Sequence, residues 1–292
     1  MSLKNYEKIF NDVNAIYSYI LNESEIKKLS DNILKLVKNK ISKKKYNINE
    51  KDILLISYAD TIRSQNSKSF RILKDFLDTY IKKKINIIHI LPFYPSSSDG
   101  GFAVTDFFKI DNVHGNWSDL RKLSNDYIIM SDIILNHASS KGIWFKRFLE
   151  DHGEGKDFFL TVDREFNTRH IVRARSHKLL QKFKTVNGDK LVWCTFSRDQ
   201  VDFDFKNPKV LLAFIKLIIF LSNKGVKIFR FDAVAFIWKR QETNCINLDQ
   251  THAIVRLFRT LLGLINNESK IITETNLPFG ENFSYFGNSD EA

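Results

Sequence analysis

An α/β fold of the (β/α)8 TIM-barrel type, incomplete at about five of eight units, is what this sequence predicts. Three observations predict it. Short apolar runs alternate with amphipathic helical segments from Asp52 onward. The runs are apolar throughout rather than alternating, as parallel strands buried on both faces require. Polar residues recur at the carboxyl ends of those runs, where barrel sites are built.

In chain order, residues 5 to 45 carry helical periodicity (Ile9, Val13, Ile16, Ile20, then Leu29, Ile33, Leu36, Val37) and end in a Lys-rich break. They are expected to form an N-terminal helical extension over 1–50, with the barrel occupying 51–292. "ILLISY" (53–58) predicts the first strand and "SFRILKDFLDTYIKKK" (69–84) a helix. "INIIHILPF" (85–93), the helix "NWSDLRKLSN" (116–125) and the strand "YIIMSDIILNH" (127–137) follow. A charged, aromatic-rich insertion of about 138–196 predicts a small subdomain, because loops of that length inside a domain are usually functional or structured. Beyond it come the helix 207–225, the strand "VKIFRFD" (226–232), the helix 250–265 and the strand "KIITET" (270–275). Three further strands are expected to lie outside the chain, so it reads either as the N-terminal part of a longer enzyme or as half of a split one. Left open, such a sheet leaves Ile53, Leu55, Ile271 and Ile272 short of packing.

The chain has 292 residues, 43% hydrophobic and 27% charged, with a formal net charge of +11. Its Lys runs, "KNKISKKK" (38–45) and "IKKK" (81–84), read as solvated surface, and no nucleic-acid motif accompanies them. Two cysteines, Cys194 and Cys245, are too few for a disulfide framework or a zinc site. The start "MSLKNYEKIF" has no apolar signal region, and "VLLAFIKLIIFL" (210–221) is short for a membrane span and carries Lys216. A cytoplasmic protein without membrane or nucleic-acid partners is expected.

Four motifs close successive strands: "PFYPSSSDGGFAVTDF" (92–107), "DIILNH" (132–137), "FRFDAV" (229–234) and "ITETN" (272–276). Period-two alternation puts Arg230 and Asp232 on one face and Phe231 on the other, so a charged pair ends a greasy strand. Burying charge costs several kcal/mol unless it is paired or used.

In order, "DIILNH", "FRFDAV" and "ITETN" resemble regions of the alpha-amylase superfamily of retaining glycoside-acting enzymes, from about Asp52 onward. "ILPFYPSSSDGGFAVTDFFKID" and "FRFDAVAFIWK…CINLDQTHAIV" resemble the sucrose phosphorylase branch, and within it the glucosylglycerate phosphorylase type. The resemblance implies Asp232 as nucleophile, Glu274 as general acid/base, and Arg230 as the arginine orienting the nucleophile. It implies that Asp99 and His137 hold the glucosyl hydroxyls and that Phe102 walls the pocket. Arg169, Arg173 and Arg175 in "RHIVRARSHK" (169–178) are candidates for phosphate, although Ala174 stands where relatives place proline. Asn136 matches a position used for calcium in many amylases, but the branch resembles calcium-free members, so neither metal nor cofactor is expected.

The chemistry fits these residue types. Retaining transfer needs two carboxyl groups about 5–5.5 Å apart, one attacking the anomeric carbon and one protonating the leaving oxygen. Arg230 would help keep Asp232 ionised, whereas an apolar setting beside another carboxylate would favour a protonated Glu274. The implied reaction passes a glucosyl group from sucrose, glucosylglycerate or a related α-glucoside to inorganic phosphate, giving glucose 1-phosphate. A hydrolase or transglucosidase of the same superfamily is the alternative within enzymes. A non-catalytic fragment or subunit, completed by a second polypeptide, is the alternative outside them. A third carboxylate implied by the resemblance is expected outside these residues, and Asp290 is not it.

Overall fold

A computed structural model of the chain describes residues 3–37, 48–81, 84–163, 165–266, 269–287 and 290–292. Five parallel strands form its centre: β1 (Leu54–Ser57), β2 (Ile87–Ile90), β3 (Ile128–Ile134), β8 (Val226–Asp232) and β9 (Lys270–Thr273). They pair in the order β1-β2-β3-β8-β9, so successive barrel strands are neighbours. The helices that follow them are α3 (Ser69–Phe76, continued by a π turn over Leu77–Ile81), α4 (Trp117–Asp126), α6 (Pro208–Lys224) and α7 (Asp249–Ile265). This is the incomplete α/β barrel expected from the pattern.

Local chemistry sets the element boundaries. Asn116 caps α4 in a reciprocal capping box with Asp119, and α6 starts at Asn207-Pro208. That helix ends on Gly225 at φ 106°, where a Cβ would strike Ser124. The segment 210–221 is the interior of α6, largely buried, with Lys216 half-exposed and 3.6 Å from Glu154. Among the described residues no helix is long and apolar enough to cross a membrane.

Two helices precede the sheet, α1 (Leu3–Tyr17) and α2 (Glu23–Val37), with buried faces that join the same core as the barrel. α1 lies along α7 and α2 along α6, and Tyr17 donates to the Phe205 carbonyl at 2.9 Å. The Lys-rich run 38–45 and residues 82–83 of "IKKK" lie outside the described residues.

Between β3 and α6 the chain builds two small antiparallel pairs around α5 (Ile143–Leu149). β4 (His137–Ser139) pairs with β7 (Gln200–Asp202), and β5 (Leu180–Thr185) pairs with β6 (Gly188–Trp193). The first pair matters most for the site. It sets His137 opposite Asp202 and Ser139 opposite Gln200 at the carboxyl end of β3.

The outer strands are only partly covered. Ile53, Ile56 and Ile272 are 52%, 58% and 42% exposed, whereas Leu55 is half-buried and Ile271 is buried. Exposed apolar strand edges pair readily with one another. The purified 292-residue chain is therefore expected to self-associate at micromolar concentration, as read by light scattering. A monomer across the whole concentration range would show that these edges are not adhesive.

Candidate active site

The strand ends converge on a cavity of about 300 Å³ lined by Asp99, Phe102, His137, Arg175, Phe196, Gln200, Asp232, Ala233, Glu274 and Asn276. Six of the nine site residues expected from sequence are therefore brought together. The remaining three, Arg230, Arg169 and Arg173, lie outside the lining.

Arg230 sits beneath the pocket. Its Nη1 donates to Asp132 Oδ1 at 2.5 Å and to Asp232 Oδ1 at 3.1 Å. β3 and β8 stand in register with Asp132 opposite Arg230, which makes the guanidinium a bridge between two carboxylates. Asp132 is itself held by His89 Nε2 at 2.7 Å, a buried histidine on β2. The chain of contacts runs His89, Asp132, Arg230, Asp232. Phe231 points away and packs edge-on against Phe258 of α7, as the alternation requires.

Asp232 is nevertheless not an easy carboxylate to ionise. Burial, then the Glu274 charge, outweighs Arg230 and raises its pKa to about 7. Glu274 is placed by backbone contacts: its N–H donates to the Phe231 carbonyl at 2.9 Å and its own carbonyl accepts from Val234. Its Oε2 accepts from the Ala233 N–H at 2.6 Å. Ala233 can present that N–H because it lies in the left-handed region at φ 49°. Asp99 and Asn276 on the same rim also have positive φ, 56° and 55°. Strained non-glycine backbone of this kind concentrates at functional sites.

On the opposite wall, Gln200 Nε2 reaches Asp99 Oδ2 at 2.8 Å and His137 Nε2 at 3.1 Å, tying the two together. His137 packs against Phe196, and burial, aided by the Lys239 charge, drives its pKa down to about 4. It is a neutral imidazole at neutral pH. Sequence reasoning missed Gln200 and Phe196; the available signal was the polar Gln200 at the start of "QVDFDF", a strand-like run after the insertion.

Asn136 faces a fixed positive charge. Lys239, buried, donates from Nζ to Asn136 Oδ1 at 2.7 Å and pairs with Asp202 Oδ2 at 2.6 Å. Among the described residues no cluster of three or more His, Cys, Asp or Glu side chains could hold a metal ion.

The arginine loop divides. Arg175 borders the 300 Å³ cavity and also a neighbouring one of about 570 Å³, lined in addition by Ser98, Ser176, His177, Gln181, Ser197 and Arg198. Arg173 turns back onto its own loop, where Nη2 donates to the His177 and Arg175 carbonyls. The exposed Arg169 lines neither cavity.

Two carboxyl side chains, Asp232 and Glu274, thus face one pocket from the ends of adjacent parallel strands, beside Arg175. The family profile described as "Alpha amylase, catalytic domain" matches residues 73–292. The chain belongs to the alpha-amylase catalytic-domain family. Its relatives include the glucosylglycerate phosphorylase of Spirochaeta thermophila, 43% identical over 82% of this chain and 41% of that protein. The Escherichia coli glucosylglycerate phosphorylase is 34% identical over 98% of this chain and 51% of its own length. Among solved structures, the sucrose 6F-phosphate phosphorylase of Thermoanaerobacter thermosaccharolyticum superposes with a TM-score of 0.73 at 25% identity. That match covers 84% of this chain and 51% of the other. This alpha-amylase domain thus spans about half the length of these relatives.

Proposed function

We propose that this chain carries the glucosyl-transferring site of a retaining glycoside phosphorylase, with Asp232 as nucleophile and Glu274 as general acid/base. The observation that carries the reading is one pocket lined by Asp232, Glu274 and Arg175. Asp232 attacks the anomeric carbon while Glu274 protonates the leaving oxygen. Phosphate then attacks the glucosyl-enzyme from the face the leaving group vacated. Arg230 orients and partly neutralises the nucleophile from below. Asp99 and His137 hold sugar hydroxyls, and Phe102 contributes an apolar wall.

The donor in this proposal is a glucoside whose leaving group is anionic, glucosylglycerate foremost. Relatives of that name match at 34% to 43% identity, and the larger cavity presents Arg175, Arg198 and His177 to a carboxylate. The setting is cytoplasmic, in keeping with two buried free cysteines. Residues completing the barrel, on this or a second polypeptide, belong to the proposal because a closed barrel has eight strands. The test is accordingly run on the 292-residue chain alone and joined to the remaining strands of the E. coli relative. Glucose 1-phosphate formed from glucosylglycerate and phosphate supports the proposal. Free glucose at the same rate with or without phosphate supports a hydrolase.

Phosphate dependence separates the two arginines. Arg175→Ala is expected to raise the phosphate KM by roughly ten- to a hundredfold, the size of a lost charge-assisted contact. Arg173→Ala should change it far less, since its guanidinium is spent on loop carbonyls. Equal effects from both would remove Arg175 from the phosphate site.

A further inference from the structure

Asp199 gathers hydroxyls from two other segments of the sugar wall. Its Oδ2 accepts from Ser97 and Ser98 Oγ, both at 2.6 Å. Its Oδ1 accepts from Ser140 Oγ at 2.8 Å and faces Ser139 Oγ at 3.1 Å. Ser97 and Ser139 also meet each other at 2.5 Å, and the Asp199 carbonyl accepts from the Ser140 N–H at 2.9 Å. Each of the three joined segments delivers one pocket residue immediately alongside. Ser98 precedes Asp99, Ser139 lies two residues beyond His137, and Asp199 precedes Gln200. Asp99 stands on a left-handed turn at φ 56°, a conformation a non-glycine residue holds only when its surroundings impose it. Asp199 itself is absent from the lining of the 300 Å³ cavity, so it acts through others.

We propose that Asp199 is a positioning residue that clamps the Ser97–Asp99 turn to β4 and β7, and thereby sets Asp99 for the sugar hydroxyls. The inference rests on the proposed glucoside-binding role of this pocket. Three hydroxyls donating to one carboxylate, with Ser139 donating to Ser97 in turn, hold more strongly than hydroxyl pairs alone, because hydrogen bonds to a charged acceptor are roughly twice as strong as neutral ones. Losing the carboxylate frees the strained turn to relax, and Asp99 then spends binding energy on being re-ordered.

The experiment compares Asp199→Ala, Asp99→Ala and the double variant in the chain joined to the remaining strands of the E. coli relative. Asp199→Ala is expected to raise the glucoside KM by roughly ten- to a hundredfold while kcat falls less. In the Asp99→Ala background the same change should add no more than about twofold, because residues acting as one unit are not additive. Asp199→Asn, which keeps one acceptor oxygen, should fall between. Amide hydrogen exchange on the isolated chain supplies a readout independent of turnover: exchange should quicken over residues 96–101 and not in α6. Additive KM effects, or unchanged exchange over that turn, would overturn the proposal. If the unaltered joined chain transfers no glucosyl group, the proposed activity falls, while the exchange measurement still decides the clamp.

Discussion

Replacing Asp232 by Asn in the joined chain is expected to lower glucosyl transfer by about 10⁴-fold or more and, at the same time, to stabilise the fold at neutral pH. The first effect follows from the proposed role of Asp232: an amide cannot form the covalent glucosyl ester, and losing a nucleophile removes most of the rate enhancement. The second follows from the site's electrostatics. In the folded protein the Asp232 pKa is raised to about 7, by burial first and by Glu274 next. In the unfolded chain the carboxyl titrates near 4. Between those values the unfolded chain holds fewer protons than the folded one, so stability is complete below about pH 4 and is lost as pH rises toward 7. The amide of the variant carries no charge and escapes that loss. Thermal unfolding should show a gain of a few degrees at pH 7.5 that vanishes near pH 4. A destabilised variant at pH 7.5 would mean that Arg230 compensates the charge more fully than the burial of this side chain allows.

The same electrostatics would set the pH dependence of the proposed reaction. With glucosyl fluoride, which needs little help from an acid, kcat/KM should rise through about pH 7 as Asp232 ionises. Glu274→Gln removes the raising charge and should move that limb to lower pH. Arg230→Gln removes the opposing charge and should move it higher.

The second large effect is expected at Lys239→Met. The ammonium is buried between Asp202 and Asn136, and Asp202 is also held by Thr195 through its N–H at 2.8 Å and its hydroxyl at 2.5 Å. Removing the cation paired with Asp202 leaves a buried carboxylate uncompensated, at a cost of about 3–5 kcal/mol. Denaturant unfolding measures the loss, and Asp202→Asn in the same chain should recover part of it by cancelling the stranded charge. The His137 titration gives a second readout. The Lys239 charge is one of the causes that depress its pKa to about 4, so the His137 ring should protonate at higher pH in the variant. A loss below about 1 kcal/mol with an unmoved His137 would mean that Lys239 is not what balances Asp202.

Much of the fold was legible because its signals are local. The strand 226–232 coincides with β8, and the helix 207–225 with α6 to within a residue at each end, since Asn207-Pro208 and Gly225 are start and stop chemistry. The Arg230–Asp232 pairing was legible too, being a matter of period-two alternation within one strand. What alternation could not reveal was the stronger partner: Asp132 lies 98 residues away and meets Arg230 through the register of β3 with β8. The contacts of Gln200 and Asp199 were not legible for the same reason. Their partners, Asp99 and Ser97, are 101 and 102 residues distant, and no spacing rule links them.

Residue order alone carried the alternating α/β pattern and the carboxyl-end motifs, because helix and strand periods, caps and turns are set by neighbours a few residues apart; the pairing of Asp232 with Glu274 was implied only by the family resemblance those motifs carry. Packing in three dimensions was needed to show that Arg175 borders the pocket while Arg173 folds onto its own carbonyls, and that Lys239 rather than open space faces Asn136. Packing also raises the Asp232 pKa to about 7 in spite of its arginine. Ionisation depends on burial and on charges summed in space, and neither quantity exists until distant segments have packed together.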